Sequence, residues 1–402
     1  MKITVVDPGN FTPLYDANLC HCLATRGHTV KLATSEFLFE PVPPLQGYQV
    51  ENAFFRHVAR MRPLKGRRLA RQALKAAVYP IEIARWSSNA SRPLPDVVHV
   101  QWSMMPLLDA RIYARLRRAG ARVVYTAHDV QPLPGSTWSG AGFSALYRLA
   151  DAVIVHADEG RRRLVDGHGV VASRVHVVPM GGPGAYTPQL LPRDEARTRL
   201  GLQPDAPYLL FFGLIKKYKG LDVLLEALSL ALRERPDLRL LVAGEPMGSW
   251  RPYGLQIARL GLGRSVDLHL GFVPSERTPL YFGAADVVVL PYREIFQSGI
   301  VLAAYTHERP VVATRVGGLP EVVREGVTGY LTPPDDPGAL GATLLRAISD
   351  PNGLAGMGAA AAALVRERHS WEQIAARHEE IYEETMRKTR RSAASAQTGS
   401  DR

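Results

Sequence analysis

Four short stretches combine residue types suited to holding an anion or a sugar. The richest is Pro291-Tyr292-Arg293-Glu294-Ile295-Phe296-Gln297-Ser298-Gly299-Ile300-Val301, which leaves an apolar run, passes polar residues and enters a helix through Ser298-Gly299. First-turn amides of a helix have no carbonyl partner within it, so Gly299 and Ile300 can present N–H groups to a phosphate. An ordinary N-cap is the plainer reading of Ser298. The second stretch, Phe211 to Gly220, ends an apolar run at Gly213 and places Lys216, Lys217 and Lys219 before a helix that begins near Leu221. Cations beside a helix N-terminus suit a diphosphate, with solvated surface charge as the alternative. The third, Asp7-Pro8-Gly9-Asn10-Phe11-Thr12, offers Gly9 for close backbone approach to a ligand. It is not G-x-G-x-x-G, which argues against a nicotinamide cofactor. The fourth, Val124 to Asp129, puts His128 just past an apolar run, where a neutral imidazole can donate to a sugar hydroxyl. A lone histidine is as readily structural. Val316-Gly317-Gly318-Leu319-Pro320-Glu321 repeats the strand-to-helix turn.

These loops need strands to carry them. Short β-branched runs at Ile3–Val6, Val30–Ala33, Val97–Val100, Val123–Thr126, Val153–Val155 and Val175–Pro179 alternate with helical patterns such as Asp16–Arg26, closed by Gly27. Continuously apolar runs are those of strands covered on both faces, so the rhythm predicts a parallel sheet of βαβ units. It pauses over Met180–Pro207, which holds four glycines and five prolines and reads as an interdomain linker with a helical turn at Arg193–Leu200. It restarts at Leu209–Phe212, Leu238–Val242, Val266–Leu270, Val287–Pro291 and Pro310–Ala313. A last helix over Trp371–Arg387 follows, capped by Ser370. The expectation is two Rossmann-like doubly wound α/β domains facing a central cleft, with ligands beyond the carboxyl ends of the strands. Domain bounds fall at 1–182 with the crossing helix 371–387, and at 183–370. Residues 388–402, without large apolar side chains, read as a disordered tail.

The chain has 402 residues, 46% hydrophobic and 22% charged, a globular balance with room for two cores. A formal charge of +11 favours phosphate-bearing partners or anionic surfaces. Two cysteines, Cys20 and Cys22, give no disulfide framework, and their i, i+2 spacing on a helix turns them apart. The chain opens directly on a strand without a signal peptide, and no run of eighteen apolar residues occurs. A reducing cytoplasm is expected. Between Arg56 and Lys75 lie eight basic and no acidic residues, interleaved with Met61, Leu64, Leu69 and Leu74. That pattern fits reversible docking on an anionic bilayer, or a solvated basic loop. No nucleic-acid motif accompanies it.

The chain resembles the family 4 retaining glycosyltransferases of the GT-B fold. The likeness rests on Phe212-Gly213 through Lys219-Gly220-Leu221-Asp222, Ala285-Asp286-Val287, Leu290-Pro291-Tyr292, Pro310 to Thr314 with Gly317 to Glu321, and Ser370-Trp371. That resemblance implies an acceptor-binding N-terminal domain, a nucleotide-sugar-binding C-terminal domain and a last helix crossing back to the first. It also implies His128, Lys219 and Glu294 as catalytic residues. Gly9, Asn10, Gly213, Lys216, Lys219, Glu294, Gln297, Ser298, Gly299 and Ile300 become the donor-binding set. The family's two glutamates, separated by seven residues, would fall at Ile295 and Ala303. Glu294 is one place early, and the Tyr-x-x-x-x-Gln-Ser-Gly pattern matches a branch of the family. Leu214 stands where a basic residue is usual, so Lys216 is the substitute.

The implied reaction is glycosyl transfer from a nucleotide-diphosphate sugar, as co-substrate, to a hydroxyl acceptor with retention. Positioned cations and helix amides stabilise the leaving diphosphate. No protein nucleophile, cofactor or Asp-x-Asp-type metal constellation is evident. Cell-surface polysaccharide or glycolipid synthesis at the inner membrane face, with a lipid-linked acceptor, fits the basic segment. A nucleotide-sugar epimerase, which needs paired carboxylates, and a non-catalytic nucleotide-sugar-binding subunit are the alternatives.

Overall fold

The computed structural model describes all residues except 38–39, 43–44, 61–67, 91–92, 131–139, 185–189 and 401–402. The chain forms two compact units, Met1–Met180 with Trp371–Arg402, and Gly181–Ser370.

The first unit is a seven-stranded sheet. Its strands are β1 (Lys2–Asp7), β2 (Thr29–Ser35), β3 (Gln49–Phe54), β4 (Val97–Val100), β5 (Arg122–Thr126), β6 (Ala152–Val155) and β7 (Val175–Val177). They lie in the order β3-β2-β1-β4-β5-β6-β7, all parallel. The order reverses between β1 and β4, so the loops after these two strands diverge and leave a crevice at their carboxyl ends. β4 and β6 are buried at every position, as strands covered on both faces must be. One face packs on the helix Pro13–Thr25 and on the last helix. There Leu19, Cys20 and Leu23 meet Trp371, Ile374, Ala375, Ile381 and Tyr382 in one core. Leu19, Leu23, Ile374 and Ile381 each contribute about 1.5–3 kcal/mol by leaving water, so the last helix is part of the first unit's core.

The second unit repeats the winding with six strands. These are β8 (Tyr208–Phe212), β9 (Arg239–Gly244), β10 (Val266–Leu270), β11 (Val287–Leu290), β12 (Val311–Thr314) and β13 (Gly329–Thr332). Their order is β10-β9-β8-β11-β12-β13, again all parallel, with the reversal between β8 and β11. Alternation along the strands splits its core. Leu210, Leu241, Val288, Leu290 and Val311 face one helical layer, while Leu209, Phe211, Leu240, Val242, Val287 and Val289 face the other.

Two expectations need revision. The last helix does not stop at Arg387, and the backbone from Lys388 is not irregular: the helix runs Trp371–Ser400. The segment has no proline and is rich in alanine and arginine, both good helix formers. β3 and β13 were missed, because their sequences are too polar or too short to stand out.

Candidate active site

In the second unit, the loops after β8 and β11 form the crevice. A 3-10 turn at Lys217–Lys219 follows β8 and leads through Gly220 into the helix Leu221–Ala231. Gly220 has φ +68° and lies so close to the Pro291 carbonyl oxygen that a Cβ would overlap it. The two loops therefore touch backbone to backbone. Arg293 fastens them further. Its guanidinium donates to both Asp222 carboxylate oxygens at 2.9 and 2.8 Å, to Asp335 at 2.6 Å and to the Lys217 carbonyl at 2.8 Å. Gly317, with φ +52°, admits the Ile295 carbonyl oxygen where a side chain would stand, and the Gly318 amide donates to Phe296 at 3.2 Å.

This frame brings Gly213, Lys219 and Ile300 together. A Cβ on Gly213 would lie 3.4 Å from Lys219 Nζ and 3.5 Å from Ile300 Cδ1. Lys219 is only 9% exposed, with its ammonium over the Tyr292 ring at 5.5 Å and no ion pair among the described residues. Burial, then the neighbouring Lys216 charge, pulls its pKa down to about 8. Lys216 itself lies over Tyr218 at 5.7 Å. The helix Gly299–Thr306 starts at Ser298, which makes no side-chain cap bond, so the first-turn amides of Gly299 and Ile300 lack that partner. Gln297 Oε1 is buried without a hydrogen bond. Glu294 is half-buried on the same loop. Ala303, where the second family glutamate would fall, is half-buried against the core.

The first unit's crevice is built differently. Asp7, at the end of β1, accepts from the amides of Phe11 (2.6 Å) and Thr12 (3.2 Å) and closes the loop. Asp7 and Asp16 are fully buried, burial raises both pKa values, and Asp7 Oδ1 and both Asp16 carboxylate oxygens have no hydrogen-bond partner among the described residues. Asn10 adopts φ +52°, and its side-chain NH2 donates to the Ser35 carbonyl at 2.7 Å. Gly9 lies under the exposed Phe11 ring.

The loop after β4 carries residues that the sequence reading missed. Asp109 takes hydrogen bonds from Ser103 Oγ (2.5 Å), the Met104 and Met105 amides and Tyr79 OH (2.8 Å), which fixes the loop at the start of the helix Pro106–Arg118. Trp102 then stacks on His128, centroids 5.0 Å apart and planes 9° from parallel, and donates to Thr12 at 3.0 Å. Gln101 Oε1 lies 2.9 Å from His128 Nε2, and His156 Nε2 lies 3.0 Å from His128 Nδ1. Both His128 nitrogens are thus engaged and the ring is 7% exposed. His128 is therefore not a free donor to a sugar, as the sequence suggested. Burial, with His156, His99 and His378 close by, holds it well below the usual imidazole range and neutral. An isolated Gln-Trp pair after a strand carries no sequence signal of its own.

Comparison with known proteins follows the same division. A model described as "Glycosyltransferase Family 4" matches residues 15–181, and one described as "Glycosyl transferases group 1" matches residues 206–350. A D-inositol 3-phosphate glycosyltransferase from Nocardioides sp. is 31% identical over 398 residues, 92% of this chain and 84% of that protein. One from Streptomyces scabiei is 37% identical over 293 residues, 70% of this chain. The chain spans 64% of the length of that relative and 55% of the one from Streptomyces avermitilis. Among solved structures, sucrose-phosphate synthase from Thermosynechococcus elongatus matches with TM-score 0.75 at 21% identity, over 96% of this chain and 99% of that one. HepE from Anabaena in complex with UDP matches with TM-score 0.71 at 20% identity, over 96% and 100%. Those matches extend over nearly the whole of both chains and show the fold. With that fold and a full-length relative above 30% identity, the chain belongs to the family 4 glycosyltransferases of the GT-B fold.

Proposed function

We propose that the chain transfers a glycosyl group from a nucleoside-diphosphate donor to a hydroxyl acceptor, with retention of configuration. Lys219 is the observation that carries this. A buried ammonium without a counter-charge is costly, and a diphosphate at the crevice between β8 and β11 supplies the missing charge. Lys216, whose charge acts on Lys219, and the first-turn amides of Gly299 and Ile300 complete the set. As the glycosidic bond breaks, negative charge grows on the leaving diphosphate, and these fixed donors stabilise it. Gln297 Oε1 accepts a hydroxyl of the donor, and Glu294, on the same loop, contacts the sugar or ribose. Ser298 and Gly213 leave room for the phosphates. The first unit offers Gly9, on the loop after β1, and His128, on the loop after β5, as its own ligand contacts. The acceptor attacks the face the leaving group vacates, and a donor phosphate oxygen takes its proton. The reading asks for no cofactor or metal.

HepE is described in complex with UDP and UDP-glucose, which supports a uridine-type donor among the candidates. A panel of nucleotide sugars in a thermal-shift assay tests the reading, since a ligand that binds only the folded state raises Tm. The expected result is a rise with at least one donor that is lost in Lys219→Ala. A panel without any rise would overturn the reading.

The N-terminal unit, in this proposal, works on a lipid-linked acceptor at the cytoplasmic face of an anionic membrane, in cell-surface polysaccharide or glycolipid synthesis. The basic segment supports it, although residues 61–67 lie outside the described ones. Beyond them the helix Arg68–Ala90 carries Arg71 and Lys75 and exposes Ile81 at 73%. Among the described residues no helix is long and apolar enough to cross a membrane. Co-sedimentation with anionic liposomes should fall with salt and with Arg67, Arg68 and Arg71 replaced by Ser. Binding indifferent to both excludes the docking.

A further inference from the structure

Each sheet has two edges, and an edge strand offers a row of N–H and C=O groups to any other strand that meets it. Three of the four edges are blunted. β3 lies against a shift of register between Thr34 and Ser35, and its Glu51 pairs with Lys31 at 3.5 Å. β7 is three residues long, and the residues of β13 are all buried or half-buried. β10 is the fourth edge. It keeps an unbroken register along β9 from Val266 to Leu270, has no proline, lysine or arginine, and exposes Leu268 and Leu270.

The ladder fixes which groups of β10 look outward. The Leu240 amide donates to the Ser265 carbonyl at 2.9 Å, and the Gly271 amide donates to the Gly244 carbonyl at 3.0 Å, both across to the β9 side. Successive residues of a strand turn their backbone groups to opposite sides. Asp267 and His269 therefore also bond toward β9, and Val266, Leu268 and Leu270 present N–H and C=O to the open side. The side chains of these three share one face of the sheet, with Val266 packed on the core there. Asp267 and His269 share the other face, both half-buried. Asp267 Oδ2 accepts from Tyr208 OH at 3.1 Å, and His269 Nδ1 lies 3.2 Å from Tyr281 OH. Asp267 Oδ1 and His269 Nε2 have no partner among the described residues.

We propose that β10 is a contact surface for a second copy of this chain, pairing antiparallel with the other copy's β10 about a two-fold axis at Leu268. Such a contact uses the same patch on both copies, so the patch must complement itself. In this register Leu268 faces Leu268 of the other copy, and Val266 faces Leu270 on either side of the axis. These three facing pairs each exchange two N–H···O bonds, and the exposed leucines cover one another. On the opposite face Asp267 stands across from His269 of the other copy, and the reverse. With Tyr281 OH donating to Nδ1, the imidazole hydrogen is on Nε2, ready for that carboxylate. The two neighbouring registers lose this match. An axis at Asp267 sets carboxylate against carboxylate, and one at His269 sets imidazole against imidazole. A strand about 17 Å long covers less than the roughly 800 Å² per partner of a standard interface, so the pair is reversible.

Sedimentation velocity of the full chain over a hundredfold range of concentration reads the association and needs no sugar donor. The expected result is a dimer fraction that grows with concentration. Leu268→Lys, which sets two ammonium groups against each other at the axis, should leave a monomer with an unchanged melting temperature. Val327→Lys, exposed beside the opposite edge of the same sheet, should keep the dimer. Cysteine reads the register. Leu268→Cys meets its copy with Cα atoms about 5.5 Å apart, within disulfide reach, whereas Leu270→Cys stands two residues off the axis on each strand and out of reach. Mild oxidation should cross-link the first and not the second. Cys20 and Cys22 are buried, so the unmodified chain should stay uncross-linked. A monomer at every concentration overturns the proposal. So does a dimer indifferent to Leu268→Lys, or equal cross-linking of the two cysteine variants.

Discussion

The two units share one winding and put it to opposite use. At the β1/β4 crevice the groups on the loops are held by the protein itself, Asp7 Oδ2 by the loop amides, Asn10 by Ser35 and His128 by Gln101 and His156, and what lies unpartnered, Asp7 Oδ1 and the Asp16 carboxyl, is fully buried beneath them. The surface offered there is rigid, aromatic and neutral. At the β8/β11 crevice the decisive groups are left without partners: the Lys219 ammonium and Gln297 Oε1. What is fastened there is the frame, through Arg293 and the backbone approaches at Gly220 and Gly317. A fixed frame with unpaired charge is what a diphosphate requires, since donors already in place need no reorganisation when charge develops. A pre-bonded neutral surface suits discrimination among uncharged hydroxyls, where each misplaced partner leaves a buried group unsatisfied.

The largest effect that sharpens this contrast is on the frame. Gly317→Ala puts a Cβ onto the Ile295 carbonyl at a positive φ, and should cost about 3–5 kcal/mol in unfolding free energy. Gly9→Ala meets only the exposed Phe11 ring, which can swing aside, and should cost under about 1 kcal/mol. Denaturant titration of the two variants compares them, and equal costs would erase the distinction between a fastened and a yielding loop.

Next comes the unpaired charge. Lys219→Ala should lose roughly 2–4 kcal/mol of transition-state stabilisation, the range for one oxyanion donor, while exposed Lys217→Ala stays near wild type. Steady-state kcat/KM separates them. With Lys219 titrating at about 8 in the free protein, donor kcat/KM should fall as pH rises through that value, and Lys219→Arg should move the fall upward. The stability of the ligand-free protein runs the other way. Between about 8 and the unfolded value of 10.5 the unfolded chain holds the extra proton, so stability rises with pH across that window.

A smaller loss is expected from Arg293→Lys, which keeps the charge but not the two-pronged grip on Asp222. Asp222 and Asp335 are partly exposed, so about 1 kcal/mol of stability is at stake. Differential scanning calorimetry, with the melting of the second unit resolved, would read it. The smallest effects concern Glu294 and Ala303. Glu294→Ala should weaken donor use several-fold in KM, and Ala303→Glu should bring no gain. A marked improvement from Ala303→Glu would mean that the β11 loop lacks a ribose contact rather than arranging it otherwise.

Much of this was legible in the residues. Buried parallel strands read as unbroken apolar runs, so β1, β4, β8 and β11 and the loops behind them were visible in Ile3–Val6, Val97–Val100, Leu209–Phe212 and Val287–Pro291. The lysine loop was visible because three cations beside a glycine are unusual. The site of the first unit was only half visible. His128 stood out, but its partners Gln101 and Trp102, on one loop, and His156, on another, are distant in sequence, and only the sheet order brings them together. Asn10 illustrates the converse. Its position in the loop suggested a ligand contact, whereas its left-handed backbone and the Ser35 carbonyl give it a local duty.

The return of the last helix to the first unit has a consequence for synthesis on the ribosome. Residues 1–180 emerge first, yet one wall of their core, Trp371 to Tyr382, is translated only after the whole second unit. At 5–20 residues per second the wait is on the order of 10–40 s. Through that interval Leu19, Leu23 and the flank of β1 lack their cover. The nascent chain is therefore a client for chaperones in its first half, while its second half, contiguous in sequence, can close as soon as it clears the exit tunnel.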